Sequence, residues 1–494
     1  MNPFKKLAGQ TAIYGIPSIL GRILNYLLVP LYTRTLDQAE YGVVILMYSF
    51  VAVFFIILTY GMETAFFRYS ELEKDKNRVY STGLISIIAS TSIFLLAALL
   101  FAGDIASMIK YPDHEEYVIW LGIILSLDVL TAVPFARLRI QNRAKRFALI
   151  KMLNISINIF FNLFFILFCP WVLENMEQGM VYNFVRHVFN PDTGLISYIF
   201  ISNLIASSVT IMLLLPEFFS IQLRFDPGLW KKMIMYALPL LFAGLAGVMN
   251  ETLGRIMLRY LLPEDIAEAE LGLYSASYKI AILMSLFIQA FRYAVEPFFF
   301  SYAREKDAKA TYAQLMNFFS IAIAVIFLVI MLYIDVVMLI IGKDFRAYAS
   351  VIPILLIAYM FMGMYYNLSV WFKITNNTRY GALMALFGAA VTVTLNYIWI
   401  PQYGYIGSAW ATFTCYGSML ILSYLLMQKF YKVPYQLPRV FVYLALAFAL
   451  YLISDWLPFG SDLIKYTVNT LFLLGYIAAV IRLEWKNIKP LMKD

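Results

Sequence analysis

Histidine and cysteine are scarce in this chain of 494 residues, which contains two of each. Both histidines, His114 and His187, fall between the long apolar segments, so those segments offer no imidazole for a proton relay or a metal site. Cys169 and Cys415 lie within or at the edge of apolar segments, where we expect packing residues and no disulfide framework. The sequence also lacks a glycine-rich loop followed by Lys-Ser or Lys-Thr, the motif that cradles ATP phosphates. We therefore expect no cofactor and no metal.

Charge is scarce as well: 14% of the residues are charged, whereas 62% are hydrophobic. A soluble core cannot enclose so much apolar surface, and long apolar runs indicate transmembrane helices. Because a spanning helix needs about 20 apolar residues, the sequence predicts an all-α polytopic membrane protein with about 14 spans. The predicted spans cover residues 10–32, 42–67, 81–103, 117–136, 148–170, 194–215, 233–258, 272–300, 313–336, 350–372, 381–400, 407–428, 439–457 and 465–483.

The distribution of positive charge predicts the orientation of these spans. With the N-terminus inside, most of the 38 Lys and Arg residues fall in inner segments, and basic residues mark cytoplasmic loops. Both termini are therefore expected to be cytoplasmic. The net charge of +8 then faces anionic membrane lipids, and no nucleic acid is needed to explain it. The inner loop 137–151 holds six basic residues and no acid, so attraction of a phosphorylated lipid head group is a further hypothesis for it.

The chain also resembles itself internally. Residues 139–149 (RIQNRAKRFAL) align without a gap on residues 373–383 (KITNNTRYGAL), and the same offset places Asn162 on Asn396. We interpret this as a duplicated bundle whose two six-helix copies run parallel, since each copy has an even number of spans. Transporters place substrate sites in the cavity between such copies.

Ionisable residues inside spans are candidates for the substrate site. A charge near the centre of the bilayer costs roughly 2.5–3.5 kcal/mol, so it normally faces a cavity or a partner. Arg22 lies near the middle of the first span and Lys279 lies within the eighth. Two cations lining one cavity favour an anionic substrate, and phosphate is the common one. The alternative is that either cation pairs with a neighbouring acid such as Asp128 in the fourth span.

Arg255 belongs to a charged stripe at the outer end of the seventh span. Glu251 stands four residues before it and Arg259 four residues after it, so all three lie on one helix face. The stripe is either a salt-bridged face or an extension of the cationic wall.

Two acids near the inner ends of the second and eighth spans are related by the repeat. Glu63 corresponds to Glu296 at an offset shorter by one residue, and Arg292 stands four residues before Glu296. We interpret them as inner-gate groups that hold helices together by hydrogen bonds. Coupling to protons or cations is the alternative.

Two stretches carry a family resemblance. Residues 15–42 contain GIPSILGR and PLYTRTL followed by EYG, and residues 396–412 read NYIWIPQYGYIGSAWAT. Both resemble bacterial polysaccharide flippases, in the O-antigen-type branch of the multidrug/oligosaccharidyl-lipid/polysaccharide exporter superfamily. The resemblance implies six-helix lobes at 1–215 and 233–428, a cytoplasmic linker at 216–232, and two added helices within 429–494.

The resemblance also implies a function in the bacterial inner membrane. A flippase of this type moves an undecaprenyl-diphosphate-linked oligosaccharide to the outer leaflet by alternating access, beside polysaccharide polymerase and export proteins. In relatives that flip cell-wall precursors, cavity arginines of the first and eighth spans handle the diphosphate, and Arg22 and Lys279 are similar in position. The alternatives are a cation-coupled antiporter for drugs or small molecules and, less favoured, a membrane sugar polymerase or glycosyltransferase. The first span has no acidic residue, which disfavours the antiporter, and the outer loop 171–193 is too short for a catalytic domain.

Overall fold

The computed structural model describes residues 21–488, except residues 22, 25, 223, 303, 304, 306, 376 and 378. Side chains at 294, 296, 297, 300, 301 and 486–488 also lie outside the description. Within the described part, every regular element is helical. Twelve of these helical segments are long and apolar enough to cross a membrane. The chain is therefore an all-α integral membrane protein, as the composition predicts.

The helices follow the predicted spans closely. Up to residue 261 they are α1 (Leu28–Thr35), α2 (Gln38–Thr59), α3 (Met62–Leu72), α4 (Lys76–Leu100), α5 (Ala102–Met108), α6 (Glu115–Ile140), α7 (Ala144–Leu163), α8 (Cys169–Asn175), α9 (Met180–Val188), α10 (Leu195–Phe219) and α11 (Pro227–Leu261). The remainder are α12 (Glu264–Tyr302), α13 (Ala308–Leu332), α14 (Ile334–Val337), α15 (Ile352–Leu368), α16 (Val370–Ile374), α17 (Arg379–Phe430), α18 (Leu437–Trp456) and α19 (Asp462–Ile488). Most of the predicted first span lies outside the described residues.

Glycines mark two of the places where helices and predicted spans differ. The second predicted span is broken between α2 and α3, where Tyr60 and Gly61 both have positive φ. The eleventh and twelfth predicted spans form the single element α17, of 52 residues, interrupted at Gly404 with φ 58° and ψ −139°. A helix of that length would measure about 78 Å, far more than the hydrocarbon layer of about 30 Å, so α17 contains two spans.

The described chain divides into two compact units, Met1–Gly272 and Leu273–Asp494. In the first unit, α11 packs against α2, α3 and α4, while α6 packs against α4 and α10, and α10 against α7. The predicted lobe limits at 215 and 233 remain a prediction.

A close helix crossing near the predicted outer side belongs to the first unit. A Cβ added at Gly42 of α2 would lie 2.1 Å from the carbonyl oxygen of Glu268, and one added at Gly272 would lie 1.9 Å from that of Gln38. Only glycine allows the two backbones to approach this closely, which is a common device where membrane helices meet.

In the second unit, α15 packs against α17, and α13 packs against α18 and α19. Buried polar groups hold the last two helices in place. Asn469 of α19 donates to the Leu332 carbonyl oxygen at 2.6 Å and accepts from the Ser454 hydroxyl at 2.6 Å. Glu484, which is fully buried, accepts a short hydrogen bond from Tyr443. The two C-terminal helices are therefore an integral part of this unit.

Candidate functional site

Three arginines surround one buried carboxylate in the first unit. They lie at the end of the unit that is predicted to face the cytoplasm. Glu217, near the end of α10, is only 3% exposed. The closest atoms of Arg146, Arg143 and Arg137 lie 3.1, 3.5 and 3.8 Å from its carboxylate oxygens. We call these four residues the Glu217 cluster. Three guanidinium groups facing one carboxylate leave the cluster with two positive charges in excess.

A tight turn between α6 and α7 brings these arginines together. Arg137 lies in the last turn of α6, and Asn142 takes a left-handed conformation with φ 57°. The Arg143 N–H then donates to the Leu138 carbonyl oxygen at 2.9 Å, which closes the helix end. Asparagine tolerates positive φ better than most residues, and this bond satisfies a carbonyl that a helix end would leave open. The basic loop of the sequence is thus a compact turn.

The three arginines differ in how firmly the protein holds them. The Arg137 side chain is only 12% exposed. Its guanidinium lies 4.1 Å from the centre of the Tyr80 ring and donates to the Ser220 hydroxyl. Arg146 also donates to the Leu213 carbonyl oxygen at 3.2 Å, and its side chain is 32% exposed. Arg143 is 54% exposed, so its guanidinium is accessible from the surface.

Further ionisable groups continue from this cluster into the helix bundle. Arg139 donates to Glu63 at 2.8 Å and so links the end of α6 to α3. The charges of Asp128 and Glu63 both act on the Lys151 ammonium, which lies 4.2 Å from the centre of the Phe135 ring. Asp128 accepts a hydrogen bond from Ser207 at 2.7 Å. The gating or coupling roles of Glu63 and Asp128 remain predictions.

The outer stripe of α11 is held locally. Arg255 donates to the backbone carbonyl oxygen of Glu251 at 2.9 Å, and the Glu251 side chain is exposed. Arg259 is 5% exposed and lies 3.2 Å from Glu268 of α12. Its guanidinium faces the Tyr111 ring at 5.4 Å, and burial, followed by the Glu268 charge, raises the pKa of the Tyr111 phenol. Arg259 therefore serves the packing at this end of the unit, whereas the substrate role of Arg255 stays a prediction.

The other candidates lie on α12 or outside the description. Arg22 is outside the described residues, as is the side chain of Glu296. Lys279 is half-buried on the part of α12 that belongs to the second unit. Arg292 lies 4.9 Å from the centre of the Tyr366 ring and lines a small cavity together with Lys373. The shared cavity predicted for Arg22 and Lys279 therefore remains a prediction.

Glu217 and Lys151 were missed by reasoning from the sequence. Glu217 follows the sixth predicted span and lies 71 residues from Arg146 along the chain, so no local pattern marks it. The one available signal was the excess of basic residues in loop 137–151, which requires an acid from elsewhere. Lys151 falls inside the predicted span 148–170, although the charge pattern assigns it to an inner segment. A lysine within a predicted span was the signal that it needs a partner or a cavity.

Local geometry supports the internal repeat. The N–H of Asn377, the counterpart of Arg143, donates to the Phe372 carbonyl oxygen at 2.8 Å, which matches the bond from Arg143 to Leu138. Asn162 and Asn396, both fully buried, each donate to the carbonyl oxygen four residues earlier, at 2.8 and 2.7 Å. The predicted duplication is therefore present in the geometry of both units.

The two copies of the turn are held by different chemistry. Trp371 and Tyr380, at the positions of Arg137 and Arg146, surround Phe430 at the end of α17. Their ring centres lie 5.7 and 5.1 Å from that of Phe430. Aromatic contact thus replaces the ionic cluster in the second unit.

Comparison with known proteins places these features in context. The sequence profile of the family described as polysaccharide biosynthesis protein matches residues 7–303, which is more than half of the chain. No curated protein matches the sequence.

Among solved structures, the fold is similar to the lipid II flippase MurJ in an inward closed conformation. The TM-score is 0.70 at 13% identity, covering 95% of this chain and 98% of that one. An inward-facing multidrug resistance MATE family transporter of the MOP superfamily gives a TM-score of 0.65 at 14% identity, covering 85% and 94%. A mutant form of the Vibrio cholerae MATE transporter VcmN gives a TM-score of 0.58 at 12% identity, covering 87% and 98%. At such identities the likeness concerns the fold.

Proposed function

Because this chain belongs to the polysaccharide biosynthesis protein family and has a flippase and transporter fold, we propose that it moves a lipid-diphosphate-linked oligosaccharide across the bacterial cytoplasmic membrane. The family match over residues 7–303 carries this proposal. The likeness in fold to MurJ supports it, because that protein is a lipid II flippase.

The proposed mechanism is alternating access. The polyprenyl tail stays in or beside the bilayer while the sugar head group and its diphosphate enter a polar cavity. A diphosphate is costly to bring into a region of low dielectric constant, and cations that meet it there offset that cost. We assign this role to Arg22, Lys279 and Arg255, and a gating or coupling role to Glu63, Asp128, Glu251, Arg292 and Glu296.

The proposed orientation places both termini in the cytoplasm of a bacterial cell and the Glu217 cluster at the inner face. In this orientation the substrate enters from the leaflet where cytoplasmic enzymes assemble it. Polysaccharide polymerase and export proteins are the proposed partners on the outer side. We propose that the chain itself carries out transport and no covalent chemistry.

A multidrug or small-molecule antiporter is the second candidate, because MATE transporters share the fold. The two candidates differ in what the cavity must bind. A cationic drug needs an acidic partner, whereas a diphosphate needs cations. Arg22, Arg255 and Lys279 are cations and therefore favour a diphosphate substrate over a cationic drug.

Deletion of the gene tests the proposal. We expect the lipid-linked oligosaccharide to accumulate, complete and unmodified, on the inner leaflet, and surface polysaccharide to disappear. The wild-type chain should restore it, and Lys279→Gln should not, whereas Lys279→Arg keeps the charge and should retain activity. An incomplete oligosaccharide would point to an enzyme. Altered drug susceptibility with normal polysaccharide would point to the antiporter.

A further inference from the structure

The Glu217 cluster holds more positive charge than a purely structural role needs. One carboxylate is neutralised by one guanidinium, yet three lie within 3.8 Å of Glu217. Arg137 donates to Ser220, just past the end of α10, and its guanidinium covers the Tyr80 ring of α4, so it already links these helices. Arg146 also donates to Glu217 and to the Leu213 carbonyl oxygen of α10, so the three arginines bring more positive charge than one carboxylate neutralises.

The surplus charge faces the surface. The Arg143 and Arg146 side chains are 54% and 32% exposed, whereas the Glu217 side chain beneath them is 4% exposed. An anion approaching from the membrane surface would therefore meet two guanidinium groups before it met the carboxylate. Guanidinium groups bind phosphoryl oxygens through charge-assisted and often bidentate hydrogen bonds, which makes this class of anion the best match.

We propose that Arg143 and Arg146 form a binding site for the phosphoryl group of a lipid head group at the inner face of the first unit. Glu217 accepts a hydrogen bond from Arg146 at 3.1 Å and lies 3.5 Å from Arg143, so it orients both guanidinium groups. The proposal does not depend on Arg22 or Lys279. The phosphoryl group belongs either to an anionic phospholipid or to a polyprenyl diphosphate.

The internal repeat supports this inference because the same turn occurs in the second unit without the arginines at 137, 143 and 146. The corresponding turn of the second unit keeps the same backbone hydrogen bond, from Asn377 to Phe372 at 2.8 Å. Trp371 and Tyr380 pack against Phe430, and the cations Arg379 and Lys429 lie over the Tyr380 and Phe430 rings at 5.4 and 5.6 Å. The described part of the second turn therefore keeps this backbone bond with aromatic side chains at the positions of Arg137 and Arg146, so its geometry does not require arginine there.

The test measures lipid binding to the purified full-length protein in phosphatidylcholine nanodiscs. Two probes are titrated in parallel, phosphatidylglycerol and a polyprenyl diphosphate, and bound lipid is counted by native mass spectrometry. The first variant is Arg143→Gln, which leaves Arg137 and Arg146 to compensate Glu217. Its matched control is Lys145→Gln, an equal change of charge at an exposed position two residues away.

We expect Arg143→Gln to weaken binding of at least one probe about tenfold, since a charge-assisted hydrogen bond contributes on that scale. Lys145→Gln should leave binding unchanged. The probe that loses affinity identifies the source of the phosphoryl group. Equal losses in both variants would indicate diffuse surface charge and overturn the proposal, as would unchanged binding in Arg143→Gln.

A second variant reverses the sign of the effect. Glu217→Gln removes the one negative charge of the cluster but keeps a carbonyl oxygen that can accept from Arg146, so a phosphoryl site should bind its probe more tightly in every preparation that folds. A structural cluster alone would show no gain. Binding by Arg143→Gln is measured without transport, so a failure of the flippase assay leaves this result interpretable on its own.

Discussion

The Gly42–Gly272 crossing gives the sharpest stability prediction. In Gly42→Ala, the new methyl group would lie 2.1 Å from the Glu268 carbonyl oxygen, and in Gly272→Ala it would lie 1.9 Å from that of Gln38. An ordinary contact needs about 3.4 Å or more, so α2 and α12 must move apart by more than about 1 Å. The obstacle is backbone and not a flexible side chain, so neither partner can rotate away.

The expected size of the effect follows from two opposing terms. Replacing glycine by alanine within a helix stabilises it by roughly 0.5–1 kcal/mol. Overpacking a closely fitted contact costs typically about 1–3 kcal/mol, and here the separation also loosens neighbouring contacts. We expect each alanine variant to be destabilised by about 2 kcal/mol. Since both press on the same contact, the double variant should cost less than the sum of the two.

Thermal unfolding of the purified protein in one detergent measures this effect. Gly247→Ala is the matched control, because a Cβ at that position of α11 meets nothing within 4 Å. The control should unfold at the same temperature as the wild type or higher. If Gly42→Ala and Gly272→Ala behave like Gly247→Ala, the crossing is not a close backbone contact and the reasoning fails.

Three further predictions concern transport and topology. Reversing the Glu63–Arg139 pair, with Glu63→Arg and Arg139→Glu together, should restore transport that either change alone reduces, and a double-mutant cycle on transport rates measures the coupling. Because both side chains are more than 40% exposed, stability should change by less than about 1 kcal/mol. Arg22→Ala should abolish polysaccharide export at normal expression, while Arg22→Lys retains part of it, because charge survives without the planar fork. A cysteine at position 142, with both native cysteines replaced, should react with an impermeant thiol reagent only after the cells are opened.

Each of these has an outcome that contradicts it. Failure of the reversed pair to exceed the single variants would show that Glu63 and Arg139 act separately. Full complementation by Arg22→Ala would remove Arg22 from the substrate site. Labelling at position 142 in intact cells would show that this loop faces outward and that the proposed orientation is wrong.

Periodicity and composition predicted the helices, but not the contacts between distant segments. The alignment of residues 139–149 on 373–383 predicted equivalent places for the two loops, and both carry the same backbone hydrogen bond, at Arg143 and at Asn377. Glu217 was not found, because its partners come from a loop 71 residues away along the chain. A lone glutamate after an apolar run does not reveal whether it faces water or three arginines.

The same limit applies to the predicted substrate site. Insertion cost makes Arg22 and Lys279 conspicuous in the sequence, since each interrupts a long apolar run. That cost does not say which neighbour compensates the charge. Lys151 illustrates this point, because its interaction with Asp128 and Glu63 depends on how α3, α6 and α7 pack together. Packing of this kind is a property of the folded bundle.

The reversal at Gly404 has a practical consequence for topology mapping. With φ 58° at Gly404, and with the Cβ position of Gly407 only 2.5 Å from the Trp399 carbonyl oxygen, the chain turns back with no loop to spare. Any insertion there, such as an epitope tag, a fused reporter domain or a protease site, would have to separate two packed spans. The connections at Gly179 and Gly194 are different, because a side chain at either position would meet open space. Reporters placed there should leave the fold intact and read out the outer surface, whereas silence from a reporter at Gly404 would carry no information about sidedness.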